Sequence, residues 1–292
     1  MAELSIILVN YNDKTHVGEC LSRIQEEKEG LDLEIFVVDN ASSDGSPDLI
    51  AERFPEVFLI RSEENLGFSR ANNMGFQQSS GEFILFLNTD TQIEPGTLES
   101  LLSWMRAHPN CGGAGPRLFD ERKEFQVSFG GSRGFFSEMM DKLFFNSLWK
   151  RRIGRMQDTV DTDWISAACL LVRRSAFESV HGFDGRFFLY FEDIDLCLRI
   201  KQNGWLLTVL PDAQVFHAGG ASTSALSLRS RYFYRQSQLY FYEKHNSRIS
   251  RLLLRVFLRV NFILLFVIGW VARKDDMDIR KDFFKLLVKD VE

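Results

Sequence analysis

Cysteine is scarce: 4 in 292 residues, at Cys20, Cys111, Cys169 and Cys197, with no C-x-x-C pair among them. That scatter excludes a zinc-ribbon site and a disulfide framework, and reduced thiols are expected. No internal repeat and no low-complexity segment is present, which excludes a solenoid. No uncharged apolar run reaches the roughly 20 residues that a spanning helix needs. Met1-Ala2-Glu3 has no basic residue, and the apolar run behind it, Leu4 to Val9, is too short for a signal peptide. It is read as a first strand of a cytoplasmic chain.

What is present points to a packed globular protein. Hydrophobic residues make up 45% and charged residues 26%, and there are 27 phenylalanines. The length suits one large α/β domain plus an extension. The net charge of -5 conceals an asymmetry. From Thr223 to Val260 eight basic residues (Arg229, Arg231, Arg235, Lys244, Arg248, Arg251, Arg255, Arg259) stand against one acid, Glu243, so the segment is +7 and the rest -12. An acidic body with a basic tail implies an anionic partner for the tail, phosphate or a membrane surface. No nucleic-acid partner is expected.

The first part alternates strand and helix patterns. Strands are expected at Leu4–Val9, Glu34–Asp39, Val57–Arg61 and Glu82–Leu87, and helices at Val17–Glu29, Ser46–Phe54, Phe68–Ser79 and Pro95–His108. This order predicts a mainly parallel sheet flanked by helices, with ligands at the carboxyl ends of the strands. From Gly112 to Asp161 the pattern blurs, and Gly130 to Gly134 reads as a loop. Then come a strand at Ile165–Val172, a helix from Asp193 to Asn203, short strands at Leu206–Leu210 and Gln214–Phe216, and helical sequence from Ser222. The boundary is set at 1–222 for the catalytic domain and 223–292 for a helical, basic and apolar extension.

Polar clusters sit where strands end. The first is Asn10-Tyr11-Asn12-Asp13 and the second Asp39-Asn40-Ala41-Ser42-Ser43-Asp44-Gly45-Ser46. Alone, the second reads as a turn and helix cap; functionally, Asp39 would accept a hydrogen bond from a base edge. Asn65-Leu66-Gly67-Phe68-Ser69-Arg70 opens a helix whose N–H groups could meet a phosphate. In Asn88-Thr89-Asp90, two oxygen-bearing side chains two residues apart could hold a divalent cation with a diphosphate. Without context it is an ordinary turn. An aromatic run, Phe187 to Phe191, precedes Glu192-Asp193-Ile194-Asp195. Acids in a first helical turn complement the macrodipole, but aromatic walls would also raise a carboxylate's pKa towards that of a useful base. His217, the polar end of an apolar run, is a candidate metal ligand.

Together these segments resemble the family 2 glycosyltransferases of the GT-A fold, and among them the bacterial rhamnosyltransferase-like members that build surface polysaccharide. The carrying segments are Ser5 to Asn12, Val37 to Ser46, Asn65 to Phe68, Leu85 to Asp90, Glu192 to Leu196 and His217, spanning about residues 4 to 245. The resemblance implies that Tyr11, Asp39 and Asp44 contact the nucleoside. Asn65, Gly67 and Arg70 would lie near the donor. Asn88 and Asp90 occupy the D-x-D position, with His217 as third ligand for Mg2+ or Mn2+. Asp193, beside Glu192, matches the catalytic base. The chain departs from the pattern at Asn88, where an amide replaces the first acid. The Gln-x-x-Arg-Trp motif of processive members is absent, so one sugar per encounter is expected.

The implied activity is inverting transfer of a single sugar from a dTDP- or UDP-linked donor to a glycan or lipid-linked acceptor, with rhamnose ranked first. The competing expectation is a non-catalytic nucleotide-binding scaffold. In the tail, Arg248, Arg251, Arg255 and Arg259 recur every three or four residues among apolar ones. That pattern fits a helix lying on the inner face of a membrane, or one packed on the catalytic domain or on a second copy as a homodimer.

Overall fold

The structure, a computed structural model, describes residues 2–131, 134, 158–218 and 228–267. Ser132-Arg133 of the glycine loop, Gly219-Gly220 and the terminal segment 268–292 lie outside the described residues.

Strand β1 (Leu4–Asn10) is the centre of the first half, and six of its seven residues are buried. It pairs in parallel with β2 (Leu33–Asp39) on one side and β4 (Phe83–Asn88) on the other, and β2 pairs in parallel with β3 (Phe58–Arg61). Central parallel strands are covered on both faces, which is why they read as unbroken apolar runs. Successive side chains point to opposite faces. Ile6 and Leu8 join one core cluster, with α1 (Lys14–Glu26), α2 (Ser46–Arg53) and α4 (Thr97–Ala107) over it. Ile7 joins the other, beneath α3 (Gly67–Gln78), α5 (Arg174–Ser179), α6 (Glu192–Gln202), α7 (Leu228–His245) and α8 (Arg248–Val267). Phe241, Tyr242, Leu254 and Leu258 from the last two helices are buried in this second cluster, so the large sheet and the C-terminal helices share one core.

The second half reverses direction. Strand β11 (Cys169–Arg173) runs antiparallel between β4 and β6 (Cys111–Phe119); β6 pairs in parallel with β12 (Leu206–His217), whose far edge carries β5 (Thr91–Ile93) antiparallel. Short β7 (Phe125–Gln126) and β9 (Val160–Asp161) pair with β6 and β12. Outside this sheet, β8 (Phe129–Gly130) pairs with β10 (Trp164–Ile165).

Three elements differ from the sequence pattern for identifiable reasons. The apolar run from Ile165 divides into β10 and β11 at a turn through Ala167 and Ala168, which are themselves buried and so leave the run apolar in sequence. The two short strands expected before His217 are one strand, with a register irregularity between Leu210 and Gln214 that accommodates Pro211. Strand β6 was hidden by its glycines. At Gly115 a Cβ would come within 2.4 Å of Ile165 Cγ2, so close packing excludes any larger residue there. All four cysteines are free and buried, and burial pushes the Cys20 and Cys197 thiols up to about 12.

Candidate active site

The register aligns the carboxyl ends of the first strands: Asn10 lies beside Asp39, and Val9 beside Asn88. A cavity of about 710 Å³ opens there, the position expected for a ligand in an open α/β sheet. Of the residues singled out in the sequence, Tyr11, Asn65, Gly67, Asn88, Asp90, Glu192, Asp193 and His217 line it, whereas Asp39, Asp44 and Arg70 do not.

The remaining three support the walls. Asp39 is buried and accepts hydrogen bonds from Asn10 Nδ2 at 2.9 Å and the Ser42 amide at 3.2 Å. Asp44 accepts from the Lys14 amide at 2.8 Å and from the Ser46 amide and hydroxyl at 3.0 and 2.5 Å. Burial alone would raise the Asp44 pKa, but these donors hold the carboxyl below its usual value. Arg70 is exposed and its Nε donates to the Gly185 carbonyl at 3.0 Å.

Three amides of the turn into α3 bond to protein oxygens. Asn40 Oδ1 accepts from the Leu66 amide at 2.8 Å, Asn65 Oδ1 from the Gly67 amide at 2.9 Å, and the Phe188 carbonyl from the Phe68 amide at 2.8 Å. These amides therefore bind protein oxygens where the sequence suggested a phosphate cradle. Gly67 has φ +77°, and a Cβ there would lie 2.5 Å from the Phe188 carbonyl oxygen, so the turn needs glycine on both counts. Its role is to dock the Asp184–Phe191 loop.

That loop carries the acids. Tyr190 (φ 71°) and Phe191 (φ 67°) are consecutive left-handed residues at the entry to α6. Such conformations cost about 1–3 kcal/mol each in a bulky residue and persist only when the surroundings enforce them. Helix α7 does so. Phe233 stacks on Phe188 at 4.5 Å, Tyr234 packs on Tyr190 and Phe191 at 5.6 and 5.2 Å, and Ser237 Oγ donates to the Leu189 carbonyl at 2.8 Å. Both loop ends are fastened by one ammonium. Lys244 Nζ lies 2.7 Å from Asp184 Oδ2 and 2.7 Å from Asp195 Oδ1. Asp195 is fully buried and also meets His245 Nε2 at 2.7 Å and Arg199 Nε at 2.8 Å. Burial opposes ionisation of Asp184, yet Lys244, the Arg186 amide and the Tyr240 hydroxyl hold its pKa at about 2. Asp195 is likewise lowered against its burial by His245, Arg199 and Lys244.

The strained turn gives neighbouring acids different environments. Glu192 is 6% exposed, and burial, reinforced by the adjacent Asp193 and by Asp195, raises its pKa well above the usual carboxylate range. Asp193 is half-buried at the cavity and accepts from the Ile194 amide at 2.8 Å and the Ala167 amide at 3.3 Å.

On the opposite wall, His217 Nε2 lies 3.2 Å from Asp90 Oδ1 and 3.4 Å from Asn88 Nδ2. Its Nδ1 is 2.9 Å from Gln126 Oε1, while Gln126 Nε2 donates to the His217 carbonyl at 2.8 Å. This pairing orients the His217 ring so that Nε2 faces the Asp90 carboxylate. Among the described residues no three His, Cys, Asp or Glu side chains converge as a metal cluster. Two protein ligands and an amide do suit a hard cation that shares its shell with substrate phosphates.

Sequence reasoning missed Gln126, Ser237 and Lys244. Gln126 falls in the stretch where periodicity blurs. Lys244 belongs to the basic run, whose charge pattern pointed outwards to a partner while the fold uses this residue inwards.

Residues 5–180 match the family model described as glycosyl transferase family 2. The chain belongs to that family. It is 30% identical over 240 residues, 75% of this chain and 77% of the relative, to N-acetylglucosaminyl-diphospho-decaprenol L-rhamnosyltransferase of Mycobacterium tuberculosis. It is 27% identical over 222 residues, 73% of this chain and 81% of the relative, to rhamnosyltransferase WbbL of Escherichia coli K12. Among solved structures it is similar to GalNAc-T7, crystallised with UDP, GalNAc and Mn2+, with a TM-score of 0.59 and 14% identity. That match covers 83% of this chain and 50% of GalNAc-T7, so the chain spans half of that enzyme's length. The likeness shows the fold, GT-A, and the family makes the chain a glycosyltransferase.

Proposed function

We propose that this family 2 enzyme transfers one rhamnosyl residue, with inversion, from dTDP-rhamnose to a hydroxyl of a lipid-linked glycan, and that Asp193 is the general base. The observation that carries the chemistry is the division of labour in the acid pair. Burial raises the Glu192 pKa well above the usual carboxylate range, and Asp193, half-buried at the cavity wall, is the carboxylate we assign to accept the proton. The acceptor hydroxyl gives its proton to the Asp193 carboxylate as its oxygen bonds to the anomeric carbon. The bond from that carbon to the diphosphate oxygen breaks on the opposite face, and its electron pair leaves with the diphosphate. Asp90 and His217, with Asn88 through its amide oxygen, would hold Mg2+ or Mn2+, which supplies charge stabilisation to a departing diphosphate. Gln126 orients His217 for that task. Tyr11, half-exposed at the cavity, is positioned to stack on the donor's base, while Asp39 and Asp44 set the shape of that wall.

The choice of a rhamnosyl donor and a lipid-linked acceptor is supported by the names of two relatives, both rhamnosyltransferases, one named for N-acetylglucosaminyl-diphospho-decaprenol. The test is a panel of nucleotide sugars, each assayed for thermal stabilisation and for transfer to N-acetylglucosaminyl-diphospho-polyprenol, with Mn2+ and with excess chelator. We expect stabilisation and transfer with dTDP-rhamnose, lost on chelation. Selective use of a UDP-hexose would overturn the donor, and full activity in chelator would overturn the metal.

A further inference from the structure

Helix α8 carries a surface that the transfer reaction does not use. Its buried face, with Leu254 and Leu258 at 3% and 5% exposure, packs into the second core cluster. On another face Ile249, Leu252, Val256 and Val260 are 71%, 62%, 48% and 50% exposed. Steps of three and four residues align them in one stripe along the helix. Only seven large hydrophobic side chains are exposed among the described residues, and this stripe holds four of them. Isolated apolar residues on a surface are ordinary, but a continuous row marks a contact.

The charges beside the row select the partner. Arg248, Arg251, Arg255 and Arg259 recur with the same steps and form a second row between the buried face and the apolar one, with Arg248 exposed and the other three half-buried. The helix Arg248–Val267 contains no acid. A second copy docked stripe to stripe with its helix antiparallel would bring the arginine rows to the same side, which is repulsive. An anionic surface with an apolar layer below it answers both rows at once. No helix among the described residues is long and apolar enough to cross a membrane, so the pattern fits a helix lying in the interface.

We propose that α8 docks the enzyme on an anionic lipid bilayer, with Ile249, Leu252, Val256 and Val260 entering the acyl boundary and the arginine row meeting lipid phosphates. Helix α8 follows α7, whose Tyr234 lines the catalytic cavity, through Asn246 and Ser247. Docking would therefore hold the cavity close to a lipid-borne acceptor. This last point rests on the proposed function; the docking itself does not.

The experiment is flotation of the full chain with phosphatidylcholine vesicles, with and without phosphatidylglycerol, at low and high salt. The wild type should float with the anionic vesicles at low salt and be released as salt rises. Ile249→Ser, Leu252→Ser and Val256→Ser combined should lower the partition coefficient by about tenfold or more. Arg248→Ala with Arg251→Ala should lower it by roughly tenfold on anionic vesicles only. Circular dichroism and light scattering on each variant report folding and oligomeric state. Wild-type protein that stays with the soluble fraction at low salt overturns the proposal. So does a folded serine variant that binds as well as wild type, or one whose only change is dissociation of a dimer. Flotation needs no sugar donor, so its failure is distinct from failure of the transfer assay.

Discussion

At the scale of single residues, Glu192 and Asp193 show how two neighbouring carboxylates acquire different tasks. Behind the left-handed turn at Tyr190 and Phe191 both acids reach the cavity, Glu192 buried and Asp193 half-buried. Because the Glu192 pKa is raised in the folded state, its contribution to stability is complete below the unfolded value of about 4.3 and is lost as pH rises towards the folded value. Glu192→Gln mimics the neutral acid and does not titrate. It should match wild type in urea unfolding near about pH 4 and exceed it at neutral pH, the gap growing by at most about 1.4 kcal/mol per pH unit. A variant less stable than wild type at neutral pH would contradict the buried neutral acid. The Asn88-Thr89-Asp90 turn and His217 were legible as candidates in the sequence because strand ends concentrate polar groups, and both acids because an aromatic run precedes them. The burial of Glu192 was not, since it lies behind a backbone conformation that bulky residues ordinarily avoid.

At the scale of elements, the Asp184–Phe191 loop that leads into the acid pair is fastened to α7. Lys244 bridges Asp184 and Asp195 at the two ends of the segment that carries Glu192 and Asp193. It is a positioning residue, reaching the chemistry only through the loop. Lys244→Met should lower kcat by about tenfold while leaving the donor KM within about twofold, since a small misalignment of a base costs rate more than ground-state binding. Lys244→Arg should restore part of the loss. If Lys244→Met lowers only thermal stability and leaves kcat unchanged, the lysine is merely structural. The sequence pattern placed α6 to within a residue but assigned α7 to a separate extension beginning at 223. Helical periodicity shows that a helix exists; which sheet it packs on depends on contacts such as Phe241 and Tyr242 with the second cluster, formed across long sequence separations.

For the whole molecule, the parallel half of the sheet was readable because strands buried on both faces leave continuous apolar runs. The antiparallel half was obscured where close packing demanded glycine in β6 and where Pro211 interrupted β12. One consequence of the shared core concerns acid. Asp184, held at about 2, and Asp195 tie α7 to α6 and to the loop. Depressed carboxylates contribute stability above their unfolded value of about 3.9 and lose it as pH falls through the folded value. The urea midpoint should therefore fall steeply between about pH 4 and pH 2, and less steeply in Lys244→Met. An unchanged slope in that variant would show that the clamp does not link the C-terminal helices to the fold.

The central claim, that Asp193 is the base of an inverting sugar transfer, is tested most directly by the single-turnover rate of Asp193→Asn with saturating dTDP-rhamnose and a polyprenyl-linked acceptor. Transfer should fall by about 10²–10⁴ while the protein still binds the donor nucleotide. A rate within about twofold of wild type would contradict the assignment.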